Sequence, residues 1–291
     1  MKRLLSMLLL AVAWHGAAAL GATRLPPIVD PPTKTVIPGK FVWFDLVTAD
    51  PGAARDFYGH VFGWTFQAVS ESGDYMVIAT GNRLIGGVFR PEASPGGTVG
   101  TRWISFVSVA DMDGTLAALK QQGFGVLHPA TPVPGRGIQA IVRDPQGAVV
   151  GLMHSDSGDP ADEPVGPGEF FWVDLYTHDT AAAAAVYARL GYRVFPAGEA
   201  EGDRVLLESG GHARAGITPL PPSEGPPGWL PYVQVESIAA TVAAATAAGG
   251  KVLLPPDETV LNGNIAVIGD PKGGVIGIIH WTSPDATEAQ P

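Results

Sequence analysis

Apolar and polar residues alternate with period two over residues 41–48, Phe-Val-Trp-Phe-Asp-Leu-Val-Thr, a run rich in aromatic and β-branched types that predicts a strand. In that strand Trp43, Asp45 and Val47 share one face, and Phe44, Leu46 and Thr48 the other. Asp50-Pro51 then supplies an N-cap and a first-turn proline, opening a helix through about Phe62 that Gly63 ends. Residues 75–79 and 84–89 bracket Thr80-Gly81-Asn82-Arg83 as a hairpin-like pair. A strand over 103–109 precedes a helix over 111–122, where Met112, Leu116 and Leu119 fall on one face before Gly123. Residues 138–142 and 148–153 flank the turn Asp144-Pro145-Gln146-Gly147. The order is strand, helix and several strands, run twice.

The pattern then returns. Residues 170–179, Phe-Phe-Trp-Val-Asp-Leu-Tyr-Thr-His-Asp, repeat residues 41–50 with the Trp, first Asp, Leu, Thr and last Asp in step. At the same offset Tyr58 matches Tyr187 and Gly87 matches Gly216. At a slightly shorter one Trp103 matches Trp229 and Asp144-Pro145 matches Asp270-Pro271, so short loop deletions separate the copies. Each copy is long enough to be nearly a small domain, which favours a fused pair over a solenoid. Trp172, Asp174, Tyr176 and His178 occupy the face that Trp43, Asp45 and Val47 occupy in the first copy. The expectation is an α+β protein of tandem βαβββ modules, at 38–155 and 168–283. The breaker-rich stretch 156–167 would be the linker and 284–291 a tail.

The N-terminal stretch follows a different rule. Lys2-Arg3, the apolar run 4–13 and Ala17-Ala18-Ala19 have the order of a secretory signal, expected to span 1–19, with the mature chain beginning near Leu20. The run is short for a bilayer span, so export to the periplasm or the extracellular medium is expected, with no membrane span after cleavage. Residues 20–37, rich in proline, read as an extended lead-in. The chain has no cysteine, which excludes disulfides and thiol catalysis. Its net charge of −10 becomes more negative once Lys2 and Arg3 are removed, and argues against nucleic acid as a partner. Apolar residues at 46% suffice for two cores. A monomer or a homodimer is compatible with a fused pair.

Asp50-Pro51 with Phe57-Tyr58 and Phe62-Gly63-Trp64, then Val109-Ala110-Asp111 and Asp144-Pro145-Gln146-Gly147, have counterparts at Tyr187, Gly191-Tyr192, Val235-Glu236-Ser237 and Asp270-Pro271-Lys272-Gly273. In this order and double occurrence the chain resembles the vicinal oxygen chelate (VOC) superfamily of glyoxalases, bleomycin-resistance proteins and extradiol dioxygenases, and in particular its two-module bacterial glyoxalase-like members. The resemblance implies eight strands around a cavity and, in metal-using members, His, Gln or Glu ligands. The corresponding positions here hold Trp43, Ile104 and Gly151, and Trp172, Leu230 and Gly277, none of which can ligate. No cofactor is expected, and a divalent metal is disfavoured.

By the same resemblance, the Trp43 and Trp172 faces line two cups. A tryptophan beside a carboxylate suits a flat or cationic small molecule, so Trp43 with Asp45, Trp172 with Asp174, and the aromatic walls Phe106 and Tyr232, on the strand facing across each cup, are the candidate ligand-binding residues. Two other readings stand beside this one. The chain could be a VOC-fold enzyme, of lyase, isomerase or dioxygenase type, recruiting unusual ligands such as Asp45, Asp174 or His178, or none. It could also be a structural or interaction protein whose cups are filled by its own side chains. His154 and His280 recur in step, but parity sends them to the face opposite Gly151 and Gly277.

Overall fold

A computed structural model describes residues 24–69, 73–91, 100–198 and 202–282. The signal sequence expected at 1–19 and the tail at 284–291 lie outside the described residues. The first module runs β1 (Phe41–Val47), α1 (Pro51–Phe62), β2 (Thr65–Ala68), β3 (Tyr75–Thr80), β4 (Arg83–Phe89), β5 (Arg102–Ser108), α2 (Met112–Gln121), β6 (Gly125–Val133), β7 (Gly137–Arg143) and β8 (Val149–Ser155). The second runs β9 (Phe170–Thr177), α3 (Thr180–Arg189), β10 (Arg193–Pro196), β11 (Val205–Ser209), β12 (His212–Pro219), β13 (Gly228–Gln234), α4 (Ile238–Ala247), β14 (Lys251–Leu254), β15 (Ile265–Gly269) and β16 (Val275–Ile279).

Each module folds into its own eight-stranded sheet, in the orders β2-β3-β4-β1-β5-β8-β7-β6 and β10-β11-β12-β9-β13-β16-β15-β14. The two βαβββ units of a module join at an antiparallel seam, β1 on β5 and β9 on β13, so each eight-stranded face is completed within one module. The four helices of the described residues start as the sequence pattern demands. Asp50, Asp111, Asp179 and Ser237 each accept a hydrogen bond from the backbone N–H three residues on. Gly63 closes α1 in the left-handed region at φ 69°. Strands β2, β6, β10 and β14 had no clear sequence signal. They are short or interrupted, β6 carries Pro129 and Pro132, and all four are sheet edges, where proline and exposed side chains are tolerated.

Strand parity divides the side chains as the alternation predicts. Phe44 and Leu46, with Val173 and Leu175 of the second module, enter one continuous core that also holds the helices' apolar faces. Phe44 and Phe170 stack at 3.9 Å between ring centroids across the join. The recurring residues Tyr58/Tyr187, Trp103/Trp229 and Asp144/Asp270 turn out to be the interface itself. The Tyr58 hydroxyl donates to Asp270 Oδ2 (3.0 Å) and accepts from Trp103 Nε1 (3.1 Å); in the reciprocal place the Tyr187 hydroxyl donates to Asp144 Oδ2 at 3.4 Å. The other carboxylate oxygen of each aspartate accepts N–H groups of its own Asp-Pro turn. Burial pushes both tyrosines well above their ordinary pKa, so they stay protonated donors.

The described part of the proline-rich lead-in is not a detached leader. Leu25 and Ile28 are buried against the first sheet, on its Trp43 face. The segment is tied down by Leu25 N–H to the Pro134 carbonyl (2.9 Å), Lys34 N–H to the Ser157 carbonyl (3.0 Å) and Ile37 N–H to Asp159 Oδ2 (2.6 Å). Gly135, at φ 84°, lets the Leu25 carbonyl approach where any Cβ would collide. The stretch 156–167 is likewise anchored, with Asp162 bridging Lys40 (2.9 Å) and Arg214 (2.6 Å).

Candidate ligand-binding cups

On the outward face of β1, Trp43 Nε1 donates to Asp45 Oδ1 (2.8 Å), and the Tyr75 hydroxyl donates to the same oxygen (2.9 Å). The Arg136 guanidinium lies 3.8 Å above the Trp43 ring, with its Nε on the Pro26 carbonyl (2.6 Å). Trp43, Phe106 and Arg136 are each 1% exposed, packed with Ile104, Ile141 and Met153. Burial raises the Asp45 pKa, against the pull of the Tyr75 hydroxyl, the Arg136 charge and the Trp43 indole. The first cup is therefore filled by its own side chains and roofed by the lead-in.

The second cup keeps the Trp–Asp pair and changes what surrounds it. Trp172 Nε1 donates to Asp174 Oδ1 (3.0 Å), as in the first module. Arg204, in the register position of Tyr75, donates to Asp174 Oδ1 (3.0 Å) and, through Nε, to Thr218 Oγ1 (3.2 Å). Tyr176 stands where the first module has Val47, and Tyr232 where it has Phe106; their hydroxyls are 2.6 Å apart. Burial pushes Tyr176 up to about 12, and Tyr232 well above its ordinary value, so both hydroxyls remain protonated at neutral pH. The place of Arg136 falls to Asn262, which is exposed, and Trp172, Tyr176 and Leu230 remain partly exposed. The Arg204 guanidinium lies 5.9 Å from the centroid of this indole, against 3.8 Å for Arg136 over Trp43.

Of the six candidate residues, the structure brings Trp43, Asp45 and Phe106 together in a closed core, and Trp172, Asp174 and Tyr232 together in a more open site. Phe106 and Tyr232 were expected on a strand facing across each cup. They stand instead on the adjacent, hydrogen-bonded strand, Phe106 opposite Trp43 and Tyr232 opposite Trp172, because β5 and β13 form the seams. Sequence reasoning placed Tyr176 on the right face without making it a candidate, and missed Arg204 and Arg136. Arg204 was findable as the residue in step with Tyr75. Arg136 offered no signal, since it enters from the turn between β6 and β7.

A glyoxalase/bleomycin resistance protein/dioxygenase superfamily model matches residues 40–152. The chain is 31% identical over 243 residues to the candidate glyoxylase CFP32 of Mycobacterium tuberculosis (strain CDC 1551 / Oshkosh), covering 81% of this chain and 93% of the relative. The chain belongs to the glyoxalase/bleomycin resistance/dioxygenase (VOC) superfamily. Another relative of this VOC protein, the anthracycline biosynthesis protein DnrV of Streptomyces peucetius, is 28% identical over 258 residues, covering 84% and 94% of the two chains. Among solved structures, the Mn(II)-bound glyoxalase from Novosphingobium aromaticivorans shares the fold at TM-score 0.56 and 17% identity, over 84% of this chain and 82% of that one. A variant of homoprotocatechuate 2,3-dioxygenase from B. fuscum in complex with HPCA does so at TM-score 0.60 and 16% identity, over 87% and 76%.

The family's metal does not fit the residues of this VOC protein. A side chain at Gly151 would collide with the Phe106 ring, and one at Gly277 with the Tyr232 ring, so neither position has room for a ligating glutamate. Among the described residues no three His, Asp or Glu side chains converge. The recruits considered above are each engaged elsewhere: Asp45 by Trp43 and Tyr75, Asp174 by Trp172 and Arg204, and His178 through Nδ1 with the Leu220 carbonyl (3.0 Å). His154 and His280 form a matched pair of backbone ties, Nδ1 to the Val109 and Val235 carbonyls at 2.9 Å each.

Proposed function

We propose that this is an exported VOC protein that binds a small, flat organic molecule without metal, and that the second cup is where it binds. The observation that carries this reading is the difference between two equivalent tryptophans. Trp43 is 1% exposed beneath Arg136, whereas Trp172 stays partly exposed beside Asp174–Arg204 and the Tyr176–Tyr232 hydroxyl pair. An accessible aromatic with a few convergent polar groups is the usual composition of a small-molecule site. Because Arg204 already neutralises Asp174, the ligand is a neutral or weakly anionic ring system rather than a cation, with the tyrosine hydroxyls orienting its oxygen atoms. The first cup is a structural element of the same ancestry. The names of the two relatives point to different chemistry, so the reading rests on the cup alone.

Native mass spectrometry and elemental analysis, on protein purified without chelator or affinity metal, test this directly. A retained organic mass and no stoichiometric metal support it. One metal per chain overturns it and restores a metalloenzyme reading. For a ligand so identified, Trp172→Ala is expected to weaken binding by about 1–3 kcal/mol; unchanged affinity removes the second cup as the site. Cell fractionation with N-terminal sequencing tests export, with a mature chain beginning near Leu20 as the expected result.

A further inference from the structure

The two modules meet through two reciprocal helix contacts, and only one of them is closed. On one side α1 packs directly on α4. Phe57 lies against Gly250, where a Cβ would come within 2.7 Å of its ring. Phe62 and Trp64 complete this side, their rings 4.8 Å apart, with Trp64 also 5.4 Å from Phe170 and 6.0 Å from Trp103. On the other side Phe41 and Trp229 keep the places of Phe170 and Trp103, and the remaining fillings are altered. Val186 stands in step with Phe57, and Phe124 with Gly250, so close approach of the backbones is lost. The loop from Tyr187 to Gly191 has one residue fewer than that from Tyr58 to Gly63, Leu190 precedes the glycine where Phe62 does in the first module, and Tyr192 replaces the larger Trp64. What remains is a cavity of about 580 Å³ between α2 and α3, walled by Phe41, Val107, Leu119, Tyr187, Leu190 and Trp229. That volume falls within the roughly 300–1,000 Å³ of small-molecule sites.

We propose that this inter-module cavity is a second binding site, distinct from the cups, for a neutral, flat aromatic molecule of two or three rings. It lies at the place where the sister interface supplies the Phe62–Trp64 ring pair from its own chain. Its neutrality follows from how the polar side chains on its wall are used. Ser108 donates to Asp159 (2.5 Å), Ser209 to the Pro38 carbonyl (2.6 Å) and Tyr192 to the Gly39 carbonyl (2.9 Å), while Asp111 caps α2 and Arg189 is held by Gln122 (3.0 Å). The two charged side chains on the wall, Asp111 and Arg189, are of opposite sign and each already holds a partner, so the wall offers an ion no net charge. An occupant would bury apolar wall from both modules at once and so couple binding to the way they dock.

The test uses the full chain and N-phenyl-1-naphthylamine, a neutral fluorescent two-ring amine bearing a phenyl group. Saturable, one-site enhancement of its emission is expected. Thr115→Phe and Leu190→Trp, which fill the cavity from opposite helices, are expected to abolish that binding with the melting temperature unchanged or raised, while Trp172→Ala leaves it intact. In Trp229→Phe, the part of the probe emission sensitised through indole excitation is expected to fall. Absence of saturable binding to the native chain, binding that survives both filling substitutions, or sensitised emission unchanged in Trp229→Phe overturns the proposal. Loss of probe binding in Trp172→Ala alone also overturns it, and places the probe in the second cup.

Discussion

Replacing each of the two equivalent tryptophans by alanine separates a core residue from a site residue. Trp43 is 1% exposed, gives one of the two side-chain hydrogen bonds on Asp45 Oδ1 and carries the Arg136 guanidinium on its ring. Truncating a fully buried tryptophan costs about 3–5 kcal/mol. The upper end applies here, because the substitution also leaves Arg136 without its aromatic surface in a site where its terminal nitrogens have no hydrogen-bond acceptor. Trp172 is partly exposed, and Arg204 stays on Asp174 when the indole is gone, so Trp172→Ala should cost less, about 2 kcal/mol. At about 2–4 °C per kcal/mol for a chain of this size, Trp43→Ala should melt roughly 10–20 °C below the native protein and Trp172→Ala roughly 4–8 °C below. Urea unfolding followed by far-UV circular dichroism measures both free energies. Equal losses, or a loss under about 1 kcal/mol for Trp43→Ala, would refute the division of the cups into one closed and one open.

Three further outcomes are expected. Tyr58→Phe strips Asp270 and Trp103 of a shared buried partner and should lower stability by about 1–3 kcal/mol, whereas Tyr187→Phe, whose bond to Asp144 is 3.4 Å, should cost less; comparing their urea midpoints checks the order. Hydrogen bonds and charge from Arg214 and Lys40 hold the Asp162 carboxyl well below the usual carboxylate range. Because its folded pKa is depressed, its stabilisation is present above the unfolded value of about 4 and is lost as pH falls through the folded value, so Asp162→Asn should flatten the acid limb of a stability–pH curve while lowering stability at neutral pH. Arg204→Gln releases the Asp174 carboxylate beneath Trp172, and the variant should gain affinity for benzyltrimethylammonium, read by tryptophan fluorescence; a variant as indifferent to that cation as the native chain would contradict the charge assignment of the cup.

Much of the fold is written locally. Period-two alternation over Phe41–Val47 and Phe170–Thr177 put Trp43 and Trp172 on the outward face and Phe44 and Leu175 in the core, because consecutive strand side chains must point to opposite sides. The helix starts were legible because a cap is a contact across three residues, and the internal repeat announced two modules of one kind. That Trp43, Ile104 and Gly151 offer a metal no donor could also be read directly, since glycine, isoleucine and tryptophan carry no suitable donor wherever they sit.

What only the tertiary structure decided depends on residues far apart in sequence. The repeat marked Tyr58 and Asp270 as recurring without saying that they bond to each other across the module interface. Strands β1 and β9, which share Phe, Trp, Asp and Leu in step, hold a filled cup and a more exposed one because of neighbours supplied from elsewhere. Arg136 and the lead-in close the first cup; Arg204, Tyr176 and an exposed Asn262 leave the second open. The cavity between α2 and α3 likewise follows from a one-residue deletion and a Phe–Gly exchange, whose effect on packing exists only once two helices from different modules are laid side by side. Backbone periodicity is a property of neighbouring residues and survives in the sequence. Whether a pocket is filled is a property of volumes brought together by the whole chain, and that is settled only on folding.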